Sequence, residues 1–201
     1  LATDETTEKA VEKAIKAFEK CIANGYFSPL FDLAVIHLDE DDEEYYDYEY
    51  YKTLMKVGIG LGIPECHILG IEREPQWDSL DDQEKKQLHC QLKKNLEIGV
   101  SMGGGYCAYT LADLYLNGKS GFNINLGLGK EYADIAVTYG YNDAFNLLIE
   151  AAETLQDPEF MSDEELLKYR IEALRYGIEE QLDYVIRNKE TYIEIGYGEQ
   201  I

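Results

Sequence analysis

The chain has 201 residues, 45% of them apolar, enough for one domain with a sizeable core or one continuous stack of small units. Forty acidic against eighteen basic residues leave a net charge of −22, which repels phosphate backbones and anionic membrane surfaces and so argues against nucleic-acid and membrane binding. No stretch approaches the roughly 18 uninterrupted apolar residues of a spanning helix, whereas a basic protein would be steered in quickly by such a field.

The first predicted element is an amphipathic helix over Glu5–Ala23, with Ala10, Val11, Ala14, Ala17, Phe18, Cys21 and Ile22 at helical spacing. Gly25 closes it and Pro29 opens the next helix, near the first-turn position proline tolerates. Asp39–Tyr51 (DEDDEEYYDYEYY) then sets five tyrosines among carboxylates. Tyrosine offers an apolar face with a hydroxyl tip, and carboxylates pair with lysine or arginine, which suits a docking surface for a basic protein. Asp41, Asp42, Glu43, Glu44, Tyr45, Tyr46, Asp47 and Tyr48 are the expected partner-binding residues. The plainer alternative is an acidic loop leading into the first turn of a helix, where carboxylates complement the dipole. The run lacks the glycine and spacing of a calcium loop.

Further along, Pro64 opens another helix, and Ser79 with Asp82 resembles a capping box, as Ser162 with Glu165 does more fully. Asn117–Lys130 (NGKSGFNINLGLGK) reads as a loop joining two units. The tail, residues 191–201, contains a TYIEI alternation that fits a short strand or an unstructured end. Both ends are acidic: residues 1–50 carry −10 and residues 151–201 carry −8, against −1 over 51–100 and −3 over 101–150.

A period runs through these elements. Gly25, Gly62, Gly103, Gly140 and Gly177 are spaced by 37, 41, 37 and 37 residues. Four residues before each stands a small residue: Cys21, Gly58, Gly99, Ala136 and Ala173. Three before stands an aliphatic one: Ile22, Ile59, Val100, Val137 and Leu174. Eight after stand Leu33, Gly70, Leu111, Leu148 and Val185. Each unit reads as a helix, a tight turn capped by a left-handed glycine, and a second helix that crosses the first closely at the small residue. A single pair cannot bury both apolar faces and a stack can, so the expected fold is all-α: an alpha-solenoid of about five units over 8–38, 46–72, 80–118, 126–155 and 162–188, with 189–201 as a tail.

The segment GYCAYTLADLYLNG over residues 105–118, with Gly104 before it, resembles the core of a Sel-one-like repeat, a relative of the tetratricopeptide repeat. The matching positions are Gly104, Ala108, Leu111, Ala112, Tyr115 and Gly118, followed by Ala133, Ala136, Gly140, Ala144 and Leu148. The first unit matches in part through Ala17, Gly25, Leu33 and Ala34. The likeness covers about residues 92–152, with a fainter echo over 8–188. It implies an alpha-solenoid that binds proteins, in signalling, in quality control, in bacterial host interaction, or as an immunity protein beside a bacterial toxin.

Other residues carry less. Cys21, Cys66, Cys90 and Cys107 form no CxxC pair and sit in apolar helical patterns, so free, mostly buried thiols and a cytoplasmic setting are expected; with Leu1 first, a periplasmic or secreted setting stays open. Cys66-His67 and His89-Cys90 fit no standard zinc spacing. Gly127-Leu128-Gly129-Lys130 lacks a full phosphate-binding fingerprint. Three scattered histidines, His37, His67 and His89, suggest no catalytic arrangement. The expectation is therefore a non-catalytic protein without cofactor or metal, binding another, basic protein. An immunity protein that neutralises a basic toxin comes first, and a general adaptor or scaffold is the alternative.

Overall fold

In the computed structural model, Gly25, Gly62, Gly103, Gly140 and Gly177 all take left-handed φ, between 77° and 91°. At each turn the glycine N–H donates to the carbonyl three residues back, and the following N–H donates to the carbonyl of the small residue. At Gly62 the bonds are Gly62 N to Ile59 O, 3.1 Å, and Ile63 N to Gly58 O, 2.9 Å. At Gly140 they are Gly140 N to Val137 O and Tyr141 N to Ala136 O, both 2.9 Å. The same pair recurs at Gly25, Gly103 and Gly177. This double bond closes the helix end and satisfies carbonyls that would otherwise be orphaned, and only glycine enters that conformation without a Cβ penalty.

The small residue also permits a close crossing. A Cβ on Gly58 would stand 2.2 Å from Cys66 Sγ, and one on Gly99 would stand 2.4 Å from Cys107 Sγ and 2.9 Å from the Pro64 carbonyl. Ala136 and Ala173, at the same offset, are fully buried.

The structure describes residues 5–38, 44–69 and 79–188, and among them every regular element is helical. The order is α1 (Glu5–Ala23), α2 (Leu30–Ile36), α3 (Tyr48–Leu61), a 3₁₀ helix (Pro64–Ile68), α4 (Asp82–Ser101), α5 (Gly105–Asn117), α6 (Leu126–Thr138), α7 (Ala144–Leu155), α8 (Asp163–Arg175), a 3₁₀ turn (Glu179–Gln181) and α9 (Leu182–Arg187). The packing is largely between chain neighbours: α1 on α2, α2 on α3, α4 on α5, α5 on α6, α6 on α7 and α7 on α8. The core follows the chain as overlapping clusters. One joins Leu30, Leu33, Tyr51, Met55, Leu92, Leu96 and Leu111; the next joins Ala108, Ala112, Ala133, Ala136, Ala144 and Leu148. Two smaller clusters centre on Phe145, Ile149 and Ala173, and on Ile171 and Val185. Several positions quoted for the family likeness, including Ala108, Leu111, Ala112, Ala133, Ala136, Ala144 and Leu148, are fully buried.

Several expectations need correction. Pro64 opens a 3₁₀ helix of five residues, not a full second helix. The loop read over Asn117–Lys130 is shorter, because α5 includes Asn117 and α6 begins at Leu126, where the Asn125 side chain accepts from Leu128 N at 3.0 Å. The capping box near residue 80 belongs to Asp81 and Glu84 rather than to Ser79 and Asp82, since Asp81 has the extended backbone an N-cap needs. Ser162 and Glu165 cap α8 as read. In α1, Ala10 and Ala17 are exposed, while Ile15, Phe18 and Ile22 pack on the core. Residues 39–43 of the acidic run, Gly70, and the 189–201 tail lie outside the described residues.

One buried charge ties the last helices together. Arg170 on α8 reaches Glu153 on α7 and Gln181, and its guanidinium lies 3.7 Å from the centre of the Tyr184 ring. Removing Glu153 would strand the Arg170 charge, which is 3% exposed, and that is the costly way to break such a pair.

Candidate functional site

The predicted docking run divides on inspection. Asp41, Asp42 and Glu43 lie outside the described residues, while Glu44, Tyr46 and Asp47 are exposed and Tyr45 is half-buried. Asp47 is the N-cap of α3, accepting from Tyr50 N at 2.9 Å, and its own N–H donates to the His37 carbonyl at 3.0 Å. His37 Nδ1 lies 2.7 Å from the Tyr45 carbonyl, so that nitrogen carries the proton and donates. The same ring meets Tyr50 edge-on at 4.8 Å. Tyr48 stacks on Tyr51 at 6.0 Å, and Lys52 covers the Tyr48 ring at 4.5 Å while pairing with Glu49 at 2.5 Å. Tyr51 is fully buried. Much of this run is thus occupied in starting α3 and filling the core; Glu44 and Tyr46 keep an outward aspect.

A second aromatic site emerges from residues far apart in sequence. The turn at Gly140 folds Tyr139 and Tyr141 against the start of α5, where Gly105 lets them in: a Cβ there would lie 3.0 Å from Tyr141 Cβ and 3.3 Å from Tyr139 Cβ. Tyr106, next on α5, meets Tyr141 at 5.1 Å between ring centres, Tyr109 at 6.0 Å and Phe31 of α2 at 5.7 Å. Tyr109 closes the set against Tyr141 at 4.9 Å. Phe31, Tyr106, Tyr139 and Tyr141 bound a groove of about 390 Å³, lined also by Asp32, Val35 and Glu65, with Tyr109 packed behind it. Among the described residues no lysine or arginine lines it, and neither Asp32 nor Glu65 forms an ion pair with a described residue. Burial, followed by neighbouring carboxylates and phenols, pushes the Tyr109 and Tyr141 hydroxyls above their ordinary range; burial, then Cys107 and Asp113, does the same to Tyr106. The phenols therefore stay neutral at physiological pH, presenting ring faces and O–H groups.

The residue before each later glycine is a large exposed apolar one: Leu61, Met102, Tyr139 and Tyr176. A Cβ on Gly62 would touch Met102 Cε at 3.6 Å, so the second and third turns abut. A larger cavity, about 700 Å³ between α7 and α8, is lined by Glu153, Asp157 and Asp163 and has no aromatic wall.

The remaining candidates are accounted for by packing. Cys66 and Cys107 are fully buried, burial being the first cause that pushes both thiols up to about 12, and Cys107 Sγ donates to the Pro64 carbonyl at 3.1 Å. Cys90 is exposed, against the expectation of a buried thiol, and all four cysteines are free. His67 is buried, whereas His89 meets Phe122 edge-on at 4.6 Å; no group of three or more metal-ligating side chains forms among the described residues. Gly129 makes room for Leu116, whose Cγ would lie 2.6 Å from a Cβ there, and Lys130 pairs with Glu165 at 3.2 Å. No described helix is long and apolar enough to cross a membrane. Compared with family models and with curated proteins, the chain matches none.

Proposed function

We propose that this is a non-catalytic helical-repeat protein that binds a basic protein. In this reading the five glycine turns mark five stacked units of an alpha-solenoid akin to Sel-one-like repeats, and the groove edge is the working face. The observation that carries it is the groove itself: aromatic walls together with two carboxylates, and no cation among its described lining residues. Aromatic side chains at the centre of a patch provide most interface energy, and a complementary field provides speed and selection.

The particular form we favour is an immunity protein that occupies and neutralises a basic toxin. The net charge of −22 and the acidic ends support it. A general adaptor is the second reading, supported by the exposed apolar residues Leu61, Met102, Tyr139 and Tyr176. Capture from the native source at low salt, followed by elution with salt and identification by mass spectrometry, separates them. A single basic protein released by salt, toxic alone and harmless when bound, is the expected result. Several partners retained at high salt would overturn the inhibitor reading and favour the adaptor.

A further inference from the structure

We infer that the groove between α2 and the Gly140 turn is a socket for an arginine side chain of the partner, an inference that rests on the basic-partner reading above. Phe31, Tyr106 and Tyr141 form its walls, and successive rings are tilted by 52°, which makes a trough and not a flat platform. A groove of about 390 Å³ lies at the small end of the range of roughly 300–1,000 Å³ for ligand sites, suited to one long side chain and its flanking backbone. Tyr139 is 46% exposed, so the trough is open on the solvent side.

The chemistry selects the guanidinium. It is planar and weakly hydrated, stacks on aromatic faces, and pairs with carboxylates through two parallel N–H donors. Asp32 and Glu65 line the same groove as the rings, which puts carboxylates and aromatic faces in one concavity. A lysine ammonium is a strongly hydrated point charge and gains less from the rings. The two groups have the same charge, so the long-range field of the chain draws them equally. A preference between them therefore reports the socket and not the acidic surface.

The test uses the full chain with two fluorescent, end-blocked peptides, tetra-arginine and tetra-lysine, titrated by anisotropy at one salt concentration. Tetra-arginine is expected to bind about tenfold more tightly, the equivalent of one well-made stacked ion contact. Asp32→Asn with Glu65→Gln, Tyr139→Ser and Tyr106→Leu, each checked for helicity by circular dichroism, should bring the preference to within about twofold. The first two variants alter side chains at the groove rim, which keeps the test valid if Tyr106→Leu unfolds. Glu159→Gln with Glu180→Gln removes the same charge from exposed positions outside the groove and should leave the preference intact. Equal binding of the two peptides, or a preference that survives the groove variants, overturns the socket. Neither result touches the basic-partner reading, which salt-sensitive capture of the native partner decides separately.

Discussion

The segment 44–51 and the groove around Tyr106 are both rich in tyrosine, and the chain uses them differently. In the first, tyrosines crowd the sequence but scatter in space: Tyr48 and Tyr51, three apart on α3, share a face and stack inward, while Tyr50 turns to His37 at the surface. In the second, Phe31, Tyr106, Tyr139 and Tyr141 come from separate parts of the chain and meet in one trough. Density along a sequence becomes density on a surface only if the helical period allows it, and three consecutive positions on a helix face different ways.

The largest effect that would sharpen this contrast is on stability. Tyr51→Ala removes a side chain with no exposure and is expected to cost about 3–5 kcal/mol by denaturant titration. Tyr50→Ala, at a ring on the surface that keeps an edge-on contact with His37, should cost only about 1 kcal/mol. Comparable losses at the two sites would mean the run is uniformly core or uniformly surface.

Next comes a way to damage the groove from beneath. Ala136 lies under the Gly140 turn, with no exposure. Ala136→Leu should destabilise by about 1–3 kcal/mol through overpacking and also blunt the arginine preference by shifting the wall formed by Tyr139 and Tyr141. A neutral result on stability would show that this crossing is not close.

The acidic run should act through rate. Replacing Asp41, Asp42, Glu43 and Glu44 by their amides is expected to slow association with the partner on the order of tenfold at low salt, with helicity unchanged. An unchanged association rate in stopped-flow measurements would remove the run from the binding surface.

The smallest effect is the share that the phenols at and behind the groove take in the loss of stability at alkaline pH, alongside Tyr132 and Tyr169, whose hydroxyls are also held protonated by burial. Tyr106, Tyr109 and Tyr141 hold their protons above the usual phenol value of about 10, burial being the first cause. Their contribution to stability is complete below that pH and is lost as pH rises through the higher folded values, because the unfolded chain deprotonates first. Tyr141→Phe, which keeps the ring and removes the titrating group, should make the alkaline decline shallower. An identical slope in the variant would show that the groove phenols do not drive the decline.

A good deal of the local structure was legible in the sequence. The five glycines with small and aliphatic residues before them specify helix ends, because a left-handed C-cap and its two hydrogen bonds are formed within six consecutive residues. Leu33, Leu111, Leu148 and Val185 were legible as core through the same register. Where the reading slipped, competing local signals were decided by backbone conformation: Asp81 displaced Ser79 as cap, and Gly129, which looked like loop, is a packing position inside α6 against Leu116. The acidic, tyrosine-rich run was legible as a composition, but not the inward turn of Tyr48 and Tyr51. The groove was not legible at all. Its residues stand more than a hundred positions apart, from Phe31 to Tyr141, and no periodicity links them. Their meeting depends on Gly105 admitting the Gly140 turn and on α2 reaching across to α5, which are contacts made by packing between elements. The sequence by itself determined where the glycine-capped helices end and how strongly the chain is charged, since both are set by near neighbours and by sums. Tertiary structure alone decided which aromatic rings share a surface, since that depends on crossing geometry between distant segments.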